Sequence, residues 1–279
     1  MMTVLEVLNA ATSYLKQRGV ESPRLNAEHL LAHSLGKKRR MDLYLEFDRP
    51  LGEPDREPLR GLVKRRGEGV PLQHLLGTVE FFGREFLSDG RALIPRPETE
   101  QLVELVLKLA PAAKSFLDVG TGSGVIALTL ALEHSEATVT ACDISTRALE
   151  LAAENRARHG LANRVVLVES DLLSSVAGTF DVVVANLPYI PAGEIAGLSK
   201  EVQHDPVSAL DGGEDGLRLI EVLADGVGEK MSPGGLLALE IGHDQSVLVE
   251  AMLRERAFRD VATHKDHQGI GRFVTARVG

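Results

Sequence analysis

Two short stretches carry residue types and spacings that could do chemistry. The first is Asn186-Leu187-Pro188-Tyr189, which follows the apolar run 181–185. A planar NH2 whose lone pair is delocalised attacks electrophiles poorly, and its two protons need acceptors held in fixed places. The Asn186 side-chain oxygen and the Leu187 backbone carbonyl can accept one proton each. That grip would aim the lone pair at an electrophile and favour pyramidalisation as the new bond forms. Pro188 confines Leu187 to an extended backbone and so fixes its carbonyl, while Tyr189 offers a flat wall for a planar group. No strong base is required, because the proton can leave after the bond has formed.

The second stretch is Asp118-Val119-Gly120-Thr121-Gly122-Ser123-Gly124. Its glycines permit a tight turn and close approach of a ligand to the backbone, and the helix beginning after it presents free amide donors. A dinucleotide fingerprint would need glycine at the sixth position from Gly120, where Val125 stands. A phosphate-binding loop would need a closing Gly-Lys-Ser/Thr, and none is present. Two readings stay open, a nucleoside cradle made by Gly120, Thr121, Gly122, Ser123 and Gly124, and an ordinary glycine-rich α/β turn. Asp143, roughly 20 residues further on at the end of a second apolar run, can accept both ribose hydroxyls; followed by Ile144-Ser145, it also fits a helix cap. At the end of the third run, Asp171 can hydrogen-bond an adenine amine and Leu172 can cover its ring. Cys142 reads as a buried strand residue, since nothing nearby would activate a thiol.

The elements that must position these residues alternate. Apolar runs at 116–119, 137–141, 165–168, 181–185, 236–241 and 272–276 are separated mostly by helical stretches such as 125–132, 146–159, 217–229 and 245–255. Continuous apolar runs between helices imply strands buried on both faces, hence a mainly parallel, doubly wound α/β sheet, and ligands of such sheets bind beyond the carboxyl ends of the strands. Residues 1–75 read as helices only, with Val4, Leu8, Ala11 and Leu15 on one face. Gly19 and Gly36 act as helix stops, and the segment holds no catalytic constellation. Residues 76–95 alternate β-formers around Gly83 and read as a β-hairpin connector; Thr99 then caps a helix running to Leu109.

Composition narrows the function classes. Of 279 residues 44% are hydrophobic and only 4% aromatic, which suits aliphatic α/β layers. No apolar run is long enough for a membrane span and no secretory leader is evident, so a membrane partner is not expected. A single cysteine cannot form an internal disulfide, which points to a reducing cytoplasmic setting. The net charge of −9 gives no overall attraction to nucleic acid, although Lys37-Lys38-Arg39-Arg40 and Lys64-Arg65-Arg66 are basic runs, read as solvated helix ends or as a docking patch. The nine histidines have no metal-ligand spacing, and no metal is expected.

The glycine turn resembles the first motif of Rossmann-like methyltransferases, and Asn186 to Tyr189 fits the pattern of methyltransferases acting on planar NH2 groups. Taken with Phe81-Phe82-Gly83-Arg84-Glu85-Phe86, Ile94-Pro95-Arg96-Pro97-Glu98-Thr99-Glu100, Glu201-Val202-Gln203-His204-Asp205-Pro206 and Ala209-Leu210-Asp211-Gly212-Gly213-Glu214-Asp215-Gly216-Leu217, the whole chain resembles the HemK-type protein-(glutamine-N5) methyltransferases. The resemblance implies a Rossmann-like class I methyltransferase sheet (96–279) with a small N-terminal helical substrate-recognition domain (1–75) joined by the hairpin (76–95). It implies S-adenosylmethionine as cofactor and the glutamine of the Gly-Gly-Gln loop in peptide chain release factors as substrate. Cofactor contacts fall on Gly120 to Gly124, Asp143, Asp171, Leu172 and Asn186, and Arg96, Pro97, Glu98, Thr99 and Glu100 border its methionine end. Catalytic and substrate contacts fall on Asn186, Leu187, Pro188 and Tyr189. Where the family usually has a proline, this chain has Leu187, so a less rigid loop is expected. Asn-Leu-Pro-Tyr is more typical of rRNA adenine methyltransferases, which remain an alternative, as does a non-catalytic module that only binds the cofactor.

Overall fold

In the computed structural model, which describes residues 1–279, every apolar run named above forms a strand. The chain divides into two units, Met1–Thr78 with Ser199–His204, and Val79–Leu198 with Asp205–Gly279.

The smaller unit holds β1 (Met2–Thr3), α1 (Val4–Gln17), α2 (Pro23–Ser34), β2 (Pro50–Leu51), α3 (Glu53–Gly67) and α4 (Leu72–Leu76). Thr3 and Glu6 form a reciprocal capping box at the start of α1. Gly19 and Gly36, at φ of 74° and 65°, reverse the chain after α1 and α2. Leu8, Leu15, Leu30, Leu31, Leu43 and Leu51 are fully buried in one core. The expectation of helices alone needs a correction. Met2 pairs with Leu51 and Thr3 with Pro50 in a two-residue antiparallel bridge, too short to leave a periodic signal. Buried Arg66 donates to Asn26 Oδ1 at 2.7 Å and to half-exposed Glu201 at 2.5 Å, so an ion pair holds the 199–204 segment. Most other charges of the basic runs are paired too: Lys37 with Glu46, Arg39 with Asp42 and Arg40 with Glu28.

The larger unit begins with β3 (Thr78–Phe81) and β4 (Arg84–Leu87), which form a two-stranded sheet. Phe82 and Gly83 both have positive φ, 52° and 69°, as a two-residue type I′ hairpin turn requires. This hairpin is shorter than the expected 76–95. The remaining elements are α5 (Pro97–Leu109), β5 (Ser115–Val119), α6 (Val125–Glu133), β6 (Thr138–Asp143), α7 (Thr146–Arg158), β7 (Val165–Glu169), β8 (Phe180–Asn186), α8 (Arg218–Gly226), β9 (Met231–Glu240), α9 (Ser246–Glu255), β10 (Arg259–Lys265) and β11 (Gly271–Arg277). Seven strands make one sheet in the order β10-β11-β9-β8-β5-β6-β7. All run parallel except β11, which is antiparallel to both neighbours. β10 was not anticipated; its charged, half-exposed sequence has no apolar run.

The chain steps outward from β5 to β6 and β7, then returns to β8 on the other side of β5. The strand order therefore reverses between β5 and β8, and a crevice opens beyond their carboxyl ends. Val119 pairs with Ala185, so Gly120 and Asn186 leave the sheet side by side. Two apolar layers cover the faces, one centred on Val183, Leu223, Leu239 and Val249, the other on Val184, Leu128, Val106 and Phe116.

Asn155, completely buried in α7, ties three segments together. Its Nδ2 donates to the carbonyls of Leu87 (3.1 Å) and Ser123 (3.0 Å), and its Oδ1 accepts from the Leu87 amide at 2.7 Å. Asn155→Leu strands those buried backbone groups. It is expected to cost about 3 kcal/mol or more, read as a lower denaturant midpoint in equilibrium unfolding.

Candidate active site

A cavity of about 350 Å³ lies in the crevice, within the size range of small-molecule sites. Its walls bring together Gly120, Thr121, Gly122, Ser123, Asn186, Leu187 and Pro188 from the two sequence-predicted stretches with Asp143, Asp171 and Leu172 from the ends of the second and third apolar runs. Gly124 stands just behind, as the residue before α6. Residues from elsewhere complete the lining, among them Thr99, Ile144, Ser208 and Arg218.

The glycine turn is built for close approach. Gly120, Gly122 and Gly124 all have positive φ, 74°, 57° and 85°, and a Cβ on Gly120 would stand 2.9 Å from Leu187 Cδ2. Asp118, fully buried, shapes the turn from inside. Its Oδ2 accepts from the Thr121 hydroxyl (2.6 Å) and the Ala127 amide (3.1 Å), while Oδ1 is buried without a partner. Burial pushes this carboxyl up to about 7, although both hydrogen bonds pull the other way.

Asp143 braces the loops on either side of it, while Ser145 holds the capping position of α7. Oδ1 accepts from the Ser145 amide at 2.8 Å, at the start of α7, and Oδ2 from the Gly122 amide at 2.9 Å. Each oxygen keeps a further lone pair, and the residue lines the cavity. Burial raises its pKa. Leu172, at a φ of 47°, and exposed Asp171 line the far end; the Leu172 carbonyl accepts from Cys142 Sγ at 3.3 Å.

Asn186 closes the opposite side. Its Nδ2 donates to Thr99 Oγ1 at 3.1 Å, and Thr99 Oγ1 donates to Glu240 Oε2 at 2.9 Å. With Nδ2 committed, the amide's acceptor oxygen is the atom left for a ligand. Glu240 pairs with Asn186 in the β8–β9 register. Burial pushes its carboxyl up to about 7, with Thr99 and Arg272 pulling it down. No sequence pattern announces it.

The loop after β8 is clamped from two sides. The Gly212 amide donates to the Ile190 carbonyl at 2.9 Å, and a Cβ on Gly212 would stand 2.8 Å from the Pro188 oxygen. A Cβ on Gly216 would lie 2.2 Å from the Tyr189 oxygen, which accepts from Gln245 Nε2 at 3.1 Å. The glycines of the 209–217 segment are thus sites where only hydrogen fits. Leu187 is buried over Gly120, so the residue that replaces the usual proline anchors the loop through its side chain.

Several expected roles move. Tyr189 does not line the cavity; its ring lies 6.0 Å from the Arg272 guanidinium, and burial pushes its hydroxyl up to about 12. Among Arg96 to Glu100, Thr99 alone lines the cavity, joined there by Pro95. α5 starts at Pro97 with Arg96 in the capping position, so Thr99 is not the cap and its hydroxyl is free for Glu240. Arg96 pairs at 3.0 Å with Asp205, whose buried carboxyl also accepts from the Ile94 amide and is pushed up to about 6. Glu100 accepts from the Phe82 amide at 3.0 Å and so braces the strained hairpin turn.

A family model described as the PrmC N-terminal domain matches residues 6–77, and one described as the methyltransferase small domain matches residues 98–210. The release factor glutamine methyltransferase of Geobacter sulfurreducens is 41% identical, covering 99% of this chain and 97% of its own. The chain belongs to the release factor glutamine methyltransferase family. The family member of Moorella thermoacetica is 42% identical over 99% of this chain and 98% of its own. Among solved structures, a methyltransferase from Pyrococcus furiosus shares the fold, with a TM-score of 0.54 at 21% identity over 71% of this chain and 90% of that one.

Asn186→Ala removes one preorganised acceptor while leaving the glycine turn untouched. Turnover is expected to fall by roughly 10²–10³ with methyl-donor affinity nearly unchanged, measured by single-turnover methyl transfer alongside calorimetric titration of the donor.

Proposed function

We propose that the protein transfers the methyl of S-adenosylmethionine to the side-chain amide nitrogen (N5) of the glutamine in the Gly-Gly-Gln loop of peptide chain release factors. The observation that carries this reading is the adjacency of Gly120 and Asn186 at the ends of paired strands, with Leu187 packed on the turn. It supports reading the two stretches as a nucleoside cradle and an amide-gripping corner, since both line one cavity.

The residues fit the cofactor. The positive-φ glycines expose backbone at close range, Asp143 has lone pairs for the ribose hydroxyls, and Leu172 and Ile144 supply apolar cover. The orphaned Asp118 Oδ1 adds a buried acceptor inside the turn. When bound, S-adenosylmethionine supplies an electrophilic methyl on a positively charged sulfur. Asn186 Oδ1 and the Leu187 carbonyl accept the two protons of the substrate amide and hold its plane. As the nitrogen acquires positive charge these two hydrogen bonds strengthen, so the acceptors favour the transition state over the ground state. Pro188 and the Gly212–Gly216 clamp keep the carbonyl from moving, and the proton departs from an already acidic nitrogen.

The helical unit supplies recognition of the protein substrate. It holds no chemistry of its own and presents an apolar trough lined by Val7, Ala10, Ala11, Tyr14, Leu59 and Val63, and a glutamine side chain alone is too small to single out one protein.

Incubating the protein with S-adenosylmethionine and purified release factor should add one methyl to the glutamine of the Gly-Gly-Gln peptide, read by mass spectrometry. Label in rRNA and none on the factor would overturn the reading. Ala10→Glu, on the exposed face of α1, should raise KM for the intact factor at least about fivefold, roughly 1 kcal/mol of binding. A short Gly-Gly-Gln peptide should be methylated as before.

A further inference from the structure

We infer that Glu240 and Thr99 are positioning residues that fix which way the Asn186 carboxamide points, and that they do so only when Glu240 is ionised. The inference rests on the amide-methylation reading above. It starts from donor and acceptor polarity. A carboxylate only accepts hydrogen bonds. With Glu240 ionised, Thr99 must turn its proton towards Oε2, where the 2.9 Å contact lies. The hydroxyl can then only accept from Asn186, and the 3.1 Å contact is made by Nδ2. Each link forces the next, and the ionised carboxylate also draws the Asn186 NH2 directly, so an anion at the end of β9 presents the Asn186 oxygen, and not its NH2, to the cavity.

Protonation breaks this logic. A neutral carboxyl can donate to Thr99, whose hydroxyl is then free to donate to Asn186. The carboxamide can then rotate by half a turn, giving up its NH2 contact with Glu240 for a bond from the Thr99 hydroxyl, and it would meet a substrate NH2 with an NH2 of its own. The groups around Glu240 are Thr99 and Glu98 from α5, Asn186 at the end of β8 with Tyr189 beyond it, and Arg272 from β11, whose Nε lies 3.8 Å from Asp266. Glu98 and burial oppose ionisation while Arg272 favours it, and the balance pushes the carboxyl up to about 7. The oriented state therefore exists above this pH and disappears below it.

Three variants test the assignment in the full-length protein. Wild-type turnover on release factor should fall on the acid side with an apparent pKa near 7. Glu240→Gln should remove that acid limb and lower kcat at pH 8 by about tenfold to a hundredfold, as for other groups that orient a reacting side chain, with KM little changed. Thr99→Val should match it in rate, and Thr99→Ser should restore the wild-type profile. Independently of catalysis, the side-chain amide resonances of Asn186, in protein labelled with ¹⁵N-asparagine, should shift with the same midpoint in wild type and stay fixed in Glu240→Gln. An acid limb that survives in Glu240→Gln, a Thr99→Val kcat within twofold of wild type, or Asn186 resonances that ignore pH in wild type would overturn the inference. If wild type leaves the release factor unmethylated, the function reading fails instead, and the resonances still decide the role of Glu240.

Discussion

Everything in the site depends on the parallel pairing of β5 with β8. Backbone hydrogen bonds hold these strands in a register that sets Val119 against Ala185, so the two loops leaving them have no freedom to drift apart. Reaction at a delocalised nitrogen is limited by geometry more than by reagent strength, and effective molarity collapses when reacting atoms are misplaced by about an ångström. A sheet is a suitable ruler for that task, because its spacing is set by backbone bonds common to every residue. The central strands add burial on both faces, which removes water from competition for those bonds.

Around this ruler the chain accepts several groups that do not favour the fold. Asp118, Asp205 and Glu240 are all pushed up by burial, to about 7, 6 and 7. A carboxyl raised in the folded state holds its proton more tightly there than in the unfolded chain, so its contribution to stability is present at low pH and is lost as pH rises through the folded value. Near neutrality these carboxyls therefore oppose folding, in the range where a translation enzyme must work. Buried polar groups at functional sites commonly carry such a cost; here Asp118 shapes the turn, Asp205 secures Arg96, and Glu240 faces Asn186 through Thr99.

Much of this was legible in the sequence, for identifiable reasons. Strands buried on both faces leave unbroken apolar runs, so β5 to β9 and β11 announced themselves, and the glycine turn and Asn186 stood out because their types and spacing have few structural uses. What stayed hidden were relations across long separations. Glu240 looks like any acid at the end of a strand until Thr99, 141 positions away, is seen to bond it. Asn155 sits in a polar helix whose pattern does not reveal that it bonds two distant carbonyls. Tyr189 followed its motif in sequence but was drawn towards Arg272, where its ring is covered on a side the motif does not specify. β10, charged and at the sheet edge, has the composition that discourages edge-to-edge pairing, and that same composition erased its signal.

The ion pair between Arg66 and Glu201 bears on how the chain is made. Arg66 is buried in a unit otherwise built from the first 78 residues, yet its carboxylate partner belongs to a segment synthesised 135 residues later. Within the first 78 residues its guanidinium finds only Asn26 and the Val70 carbonyl. The set of bonds around that guanidinium therefore closes only when residues 199–204 exist, so the first 78 residues alone lack one of its three partners.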